Sequence, residues 1–524
     1  MRTESARILR DASKLFGAEL TNGAVAVVFS AWLIRSISRE ELALYPIFGL
    51  CVGFAASVSN LGLTMAQQRL IPERMAAGNE SEARAIARTC LKITVSLAAV
   101  MGVVAAILAP QLSRWLLKTP EFTPIMRGLA PGIFLGAVSN HFSYLLQSTN
   151  RFGQVSLNNI VTGCMGKVLA VPLYIIAGRW GLVIAMTTPS LLAVILASIP
   201  LRRFLWGAVE PSDFSRPRSL LRYSLPFYGT SIVTYLNTNA DSLLLAALTN
   251  PRYLATYYVA YQFVSYLFQF GNAGFRVLVI KVSQLRTEGV ERVAASFTKS
   301  SRYLFLFFIP SCGLLAGLAP IIIRLYAGAK YAGSGPILAV LCLYMFFFTL
   351  FGLHRFYVFS LSQPVATLKL QMMTTSLTLS FTAVCVYLWG GMGAAVGQAI
   401  ALALAGGVGY AMLRRDMPVR YDFAGVRIGL TSLIPAAAIM VVPQWLGLPG
   451  WIRGAAAAIA LPTFVIAFLR VMAPSDRRLL QDYLPKRLWE IAAGLAFIAP
   501  RTQPLEERSG AVLNPATSPV ETMK

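Results

Sequence analysis

The sequence predicts an all-α polytopic membrane protein of about 14 transmembrane helices: two six-helix lobes and two extra C-terminal helices. Three observations carry that prediction. Of 524 residues, 56% are hydrophobic and only 13% charged, whereas soluble domains carry about 25% charged residues; mean hydropathy is +0.62. Apolar runs long enough to cross a bilayer recur along the whole chain, and short motifs recur about 212 residues apart. A water-soluble fold has no place for so much apolar surface. Soluble enzymes, secreted disulfide scaffolds and disordered chains are therefore excluded.

A spanning helix takes about 20 predominantly apolar residues. Windows of that length fall near 14–35, 42–64, 91–110, 125–147, 155–177, 181–201, 223–247, 255–278, 303–323, 336–360, 366–389, 392–413, 426–446 and 452–472. The run 484–500 is shorter and flanked by Arg and Pro, which predicts a surface helix or tail, and the polar stretch 501–524 reads as disordered. The N-terminus lacks the apolar core and cleavage site of a signal peptide, so the first helix is expected to stay in the mature protein. The expected organisation is an N-lobe over 1–210, a C-lobe over 211–415, helices 13 and 14 over 416–480, and a tail over 481–524.

The net charge of +24 would point to nucleic acid in a soluble protein. Here the cations lie between apolar runs. Of the 46 Lys and Arg, 34 fall on the side of the termini, 10 on the other side, and Lys167 and Arg355 inside spans. Positive loops stay cytoplasmic, so both termini are expected in the cytoplasm and no nucleic-acid partner is implied. The six cysteines (Cys51, Cys90, Cys164, Cys312, Cys342, Cys385) form no CxxC pair and lie mostly in apolar runs. They predict neither disulfide, metal nor cofactor.

The chain repeats itself. Leu9-Arg10 opens the first helix and Leu221-Arg222 the seventh; Leu42-Ala43-Leu44-Tyr45 recurs as Leu254-Ala255-Thr256-Tyr257, each at a spacing of 212. Ala109-Pro110 and Arg114 recur as Ala319-Pro320 and Arg324, at 210. Three matches in register predict an internal duplication. Six helices per repeat is an even number, so both lobes insert in the same direction. A pseudo-two-fold axis along the membrane normal relates such lobes, and binding sites lie between them.

Polar residues inside spans are costly and must face protein or water. On helix 8, Tyr258, Gln262, Ser265, Gln269, Asn272 and Arg276 form one continuous stripe, leading on to Lys281. Helix 7 carries Thr230, Thr234, Asn237 and Asp241; helix 4 carries Asn140, Tyr144 and Gln147; helix 5 carries Asn159, Gly163 and Lys167; helix 1 carries Glu19 and Asn22. Such groups also serve as hydrogen-bonded glue between helices. Stripes on five helices together, with a mid-membrane Lys167, predict a water-filled cavity. Asp241 and Glu19 are the acids within spans; for Asp241, ion coupling or a proton relay stands beside pairing with a structural Arg or Lys, and Glu19 is close to solvent at its helix end. His141 and His354 read as packing residues, with a proton relay as the alternative, and Arg355 as a residue that reaches the interface. No P-loop is present. The outward loops are short, and no clustered carboxylates or His suggest a polymerase or glycosyltransferase.

Several segments resemble a family. Leu9-Arg10 through Leu15-Phe16, Glu40-Glu41 through Tyr45, Asn60 through Leu63 and the later Arg69 look like the start of bacterial polysaccharide-export flippases of the Wzx type. Leu221 through Pro226, Asp241 through Leu245, Tyr258 through Tyr261, Leu325 through Gly328 and Tyr331-Ala332 resemble the second half, so the likeness covers about residues 7–415. The resemblance implies the multidrug/oligosaccharidyl-lipid/polysaccharide exporter superfamily, the bacterial inner membrane, and no enzymatic activity. Its flippases move undecaprenyl-pyrophosphate-linked oligosaccharides from the inner to the outer leaflet by alternating access, for exopolysaccharide or O-antigen export. Lipid II flippases and cation-coupled multidrug exporters share the architecture and stand as alternatives, as does a non-transporting scaffold of a polysaccharide synthase. The implied partners are the lipid-linked oligosaccharide, membrane lipids, a coupling cation (H+ or Na+) and a polysaccharide polymerase or copolymerase. Gln262 stands where many relatives carry a basic residue, which leaves pyrophosphate contact to Lys167, Arg276 or Lys281. Gln262, Gln269, Asn272, Asn140, Tyr144 and Asn159 complete the expected cavity, with Asp241 and Glu19 as coupling residues.

Overall fold

The computed structural model describes residues 27–209, 216–285, 289–361 and 364–472, with isolated positions 474, 477, 490 and 494. Glu19, Asn22, the first half of helix 1, most of the run 484–500 and all of 501–524 lie outside the described residues. The described chain is helical: α1 (Val27–Ser36), α2 (Arg39–Leu42), α3 (Leu44–Asn60), α4 (Leu63–Ala76), α5 (Glu80–Ile107), α6 (Ala109–Leu116), α7 (Thr123–Ser148) and α8 (Phe152–Ile160) come first. A π-turn over Val161–Met165 leads into α9 (Gly166–Leu205). Then follow α10 (Pro217–Leu248), α11 (Pro251–Leu285), α12 (Val290–Ala327), α13 (Ser334–Leu361), α14 (Pro364–Asp416), α15 (Ala424–Trp445) and α16 (Gly450–Val471).

Local sequence explains the boundaries. Ser38 and Glu41 form a reciprocal capping box that starts α2. Pro217, Pro251 and Pro364 open α10, α11 and α14, where a missing N–H costs nothing. Two long helices each contain two spans. α9 turns at Gly178 (φ 55°, ψ −134°) and α14 at Gly390 (φ 55°, ψ −127°), a backbone conformation open almost only to glycine. These turns stand 212 residues apart, the spacing of the sequence repeat. The duplication therefore reaches the backbone. Lys118 (φ 57°) and Gly328 (φ 79°) likewise end α6 and α12 at the 210 spacing of the Ala-Pro motif.

Eight segments are long and apolar enough to cross a membrane, and the two longest, Phe152–Leu205 and Leu368–Arg415, hold the glycine turns. α7, α10 and α11, of 26, 32 and 35 residues, are long enough but less apolar. They are the helices that carry polar stripes. The apolar rows face outwards: Trp180, Ile184, Leu191, Ile195 and Ile199 line one side of α9, Ile199 at 65% exposure. Small and aliphatic side chains of α3, α4, α5, α7, α8 and α9 form the N-lobe core. Residues up to Phe423 form one unit; α15 and α16 pack together in a second that begins at Ala424.

Within the first unit the lobes touch at both ends of their seam. At the arginine-rich end, α3 breaks at Leu61 and Gly62 (φ 75°) before α4, and a Cβ at Gly62 would lie 2.3 Å from the Ser224 carbonyl of α10. Farther along, the Tyr235 hydroxyl donates to the Leu50 carbonyl at 2.9 Å. At the opposite end the contacts are charged: Arg252 to Glu40 at 2.5 Å, Lys330 to the Ile37 carbonyl at 2.6 Å and Lys118 to the Ala247 carbonyl at 2.7 Å.

Candidate functional site

α10 and α11 form an antiparallel pair that sets Asp241 against Tyr257. Asp241 is 2% exposed. Its carboxylate accepts the Tyr257 hydroxyl at 2.5 Å and the Ser242 backbone N–H at 2.7 Å, and the Gln398 side chain of α14 bonds it as well. Tyr261 stacks on Tyr257 with ring centroids 5.9 Å apart. A buried carboxylate needs such partners, because desolvation is otherwise costly. No cation bonds it among the described residues.

One turn before Asp241, Asn237 opens into a small cavity, lined also by Thr238, Tyr261, Phe268, Tyr344, Phe348, Thr378, Gln398 and Leu402. Every lining residue comes from α10, α11, α13 or α14, so this cavity lies inside the C-lobe rather than in the seam where the stripes were expected to meet. Asn237 Oδ1, Thr378 Oγ1 and Gln398 Oε1 are buried with no hydrogen-bond partner among the described residues. Three unpartnered side-chain oxygens thus gather around one small space, a donor set suited to a hard cation or to water.

The N-lobe carries a cation instead. Lys167 follows the π-turn Val161–Met165, the kind of bulge that re-aims side chains at functional positions. It is half-buried in mid-span and makes no hydrogen bond or ion pair with any described residue. Nearby, Asn158 donates to the Ser143 hydroxyl at 2.6 Å, tying α8 to α7. On the predicted stripe of α7, Asn140 is exposed and Tyr144 half-buried; Asn159 is half-buried on α8. Gln147 accepts from Gln68 at 3.3 Å. Arg355 donates to the side-chain amide oxygen of Gln371 at 3.3 Å and lies over the Phe356 ring.

Gln262 is buried inside the C-lobe and accepts the Tyr326 hydroxyl at 2.9 Å. Gln269, Asn272, Arg276 and Lys281 lie on α11 by its backbone, and their side chains are outside the described residues. The histidines are packed: His141 meets Thr94 at 3.3 Å, and His354 bonds Tyr421 and stacks on Phe297. No metal-binding group of His, Cys, Asp or Glu exists among the described residues. Sequence reasoning missed Tyr257, Gln398 and Thr378. Tyr257 has the look of a filler aromatic, and Gln398 is the single amide in the Gly- and Ala-rich run 391–413, the one available signal.

Comparison places this arrangement among known folds. A solved structure titled as the lipid II flippase MurJ in an inward closed conformation matches with a TM-score of 0.68 at 12% identity, covering 90% of this chain and all of that one. An inward-facing multidrug resistance MATE family transporter of the MOP superfamily matches at 0.61 and 15% identity, over 77% of this chain and 98% of that one. A MOP superfamily transporter from Pyrococcus furiosus matches at 0.53 and 15%, over 78% and 95%. These likenesses show that the chain shares the fold of those solved structures. No curated protein matches the chain by sequence. A family model described as polysaccharide biosynthesis protein matches residues 32–336, more than half of the length. With its duplicated bundle, its glycine turns 212 residues apart and that match, the chain is a member of the polysaccharide biosynthesis protein family.

Proposed function

We propose that the protein is a flippase that carries polyprenyl-pyrophosphate-linked oligosaccharide from the inner to the outer leaflet of a bacterial inner membrane, for exopolysaccharide or O-antigen export. The carrying observation is Lys167, a mid-span cation without a described partner. A cation at the centre of a spanning helix costs about 2.5–3.5 kcal/mol, so its retention calls for an anion that arrives and leaves. Pyrophosphate meets that need through charge-assisted hydrogen bonds. Family membership supports the polysaccharide end of the reading, and the likeness to a lipid II flippase fold supports a lipid-linked cargo. The charge asymmetry supports an arginine-rich cytoplasmic end.

In mechanism, the polyprenyl tail stays in lipid while the head group passes between the lobes, with Lys167, and Arg276 and Lys281 of α11, as the anion's stations. Asn140, Tyr144, Asn159, Gln269 and Asn272 would hydrate the sugars. The lobes separate alternately at the two ends of the seam. Asp241 is the coupling residue: Asn237, Thr378 and Gln398 offer oxygens beside it for H+ (through water) or Na+, and its charge changes when the cation enters. Gln262, held by Tyr326, acts through the packing of α11 on α12.

A deletion strain tests this reading, assayed for surface polysaccharide and for the leaflet that holds the lipid-linked intermediate. Loss of polymer with intermediate trapped on the cytoplasmic leaflet is expected. Normal polymer with raised sensitivity to cationic drugs would move the protein to the multidrug branch. Normal cation dependence in Asp241→Asn would remove Asp241 from coupling.

A further inference from the structure

At the end of the seam opposite the arginine-rich face, the lobes are held by cations that reach across to the last carbonyls of each other's helices. Arg35 bonds the Leu325 and Tyr326 carbonyls in the last turn of α12, at 3.2 Å for Tyr326. Lys118 bonds the Ala247 carbonyl in the last turn of α10 at 2.7 Å. In return, Lys330 bonds the Ile37 carbonyl just beyond α1 at 2.6 Å, and Arg39 bonds the Lys330 carbonyl. Orphan helix-end carbonyls and the negative end of the helix dipole attract such cations.

Of these cations and Arg252, only Arg252 forms an ion pair with a carboxylate across the seam among the described residues, that of Glu40. Glu41 next to it is taken inside its own lobe by Arg179 at 2.9 Å and Tyr174 at 3.0 Å. Arg39 and Lys330 lie over the same Tyr331 ring, 5.5 and 5.4 Å from its centroid; Glu40 and Glu41 act on Lys330 through space, but among the described residues neither forms an ion pair with it. Burial, and then Arg39, hold the Lys330 ammonium below the ordinary lysine range against the opposing pull of Glu40 and Glu41. Neutral carbonyls are weaker acceptors for these groups than an oxyanion, which pairs charge with charge. Crowded like charges gain further when an anion bridges them.

We propose that this end of the seam is an anion-operated latch: a phosphate-type oxyanion binds Arg39 and Lys330, draws the cross-lobe cations off the helix-end carbonyls and frees the lobes to part. The anion is either the pyrophosphate of a lipid-linked cargo or a phospholipid head group, which share the chemistry. Only the choice of the first source rests on the flippase reading.

The test uses the full chain in phosphatidylcholine nanodiscs with spin labels at Trp115→Cys and Leu248→Cys. These exposed positions flank the Lys118–Ala247 contact from opposite lobes. The six native cysteines are buried or half-buried, so the unsubstituted chain is the labelling control. Inorganic pyrophosphate is expected to shift the distance distribution to longer values, and Arg39→Gln with Lys330→Gln to demand at least about tenfold more of it. Lys118→Gln should lengthen the resting distance and leave the pyrophosphate response intact, which keeps the test readable should the double variant fold poorly. A shift in phosphatidylglycerol nanodiscs without pyrophosphate assigns the anion to lipid. The latch is refuted by an unchanged distance in both lipids, by an equal shift from chloride at matched ionic strength, or by a double variant that responds like the parent. Unlatching by pyrophosphate in a protein whose deletion spares surface polysaccharide would keep the latch and discard the flippase reading.

Discussion

Lys167 is maintained against its own contribution to stability. A half-buried ammonium with no described counter-charge raises the energy of the folded state, so Lys167→Met is expected to stabilise the purified protein by about 1–3 kcal/mol. The same variant should lower polymer export at least about tenfold, and undiminished export would remove the anion role. Asp241 has the opposite character. Its carboxylate is satisfied by Tyr257, Ser242 and Gln398, and Tyr257→Phe should cost about 1–3 kcal/mol by leaving a buried charged acceptor short of a donor. A thermal melt of Tyr257→Phe in detergent reads that loss. An unchanged melting temperature would mean that water replaces the hydroxyl.

Among the elements, the glycine turns of α9 and α14 are the repeated device. Just beyond each turn the two spans come so close that a Cβ would collide with backbone: Gly181 against the Leu173 carbonyl at 1.9 Å, Gly393 against the Cys385 carbonyl at 1.8 Å. Gly181→Ala and Gly393→Ala should therefore each destabilise by about 1–3 kcal/mol or more, since backbone cannot yield like a side chain. Gly407→Ala, where a Cβ meets nothing within 4 Å, is the matched control and should be neutral. Equal melting temperatures for all three would show that these turns relax freely. The two repeats differ at the seam: α3 and α4 break at Gly62, whereas α11 runs unbroken through the corresponding Gly274. The break seats the N-lobe against α10.

For the whole molecule, charge distribution and seam contacts define polarity. If 34 of the 46 Lys and Arg lie on the side of the termini, as the span positions read from the sequence imply, a C-terminal green fluorescent protein should fluoresce and a C-terminal alkaline phosphatase should stay inactive. Active phosphatase would invert the orientation and, with it, the direction of transport. Both ends of the seam are in contact, one through backbone and aromatic packing at Gly62 and Tyr235, the other through charge at Arg35, Lys118 and Lys330. Transport then requires each set to part in turn.

Membrane class, span positions and duplication were legible from the sequence because hydrocarbon demands long apolar runs, and because duplicated backbones keep their glycines and prolines: Gly178 and Gly390 repeat what the Leu-Ala and Ala-Pro motifs announce. Polar residues inside spans were legible as exceptions too, Lys167 and Asp241 among them. Which way those exceptions turn was decided only by tertiary structure. Gln262 and Asn237 follow helical stripes equally well, yet one is spent on Tyr326 and the other opens into a cavity of the C-lobe. Tyr257, Thr378 and Gln398 converge from three spans, α11 and the two halves of α14, and no single-helix period encodes that meeting. The latch was equally hidden, since Arg35, Lys118 and Lys330 find carbonyls of the other lobe more than a hundred residues away. Periodicity reports what one helix buries; only packing determines what it is buried against.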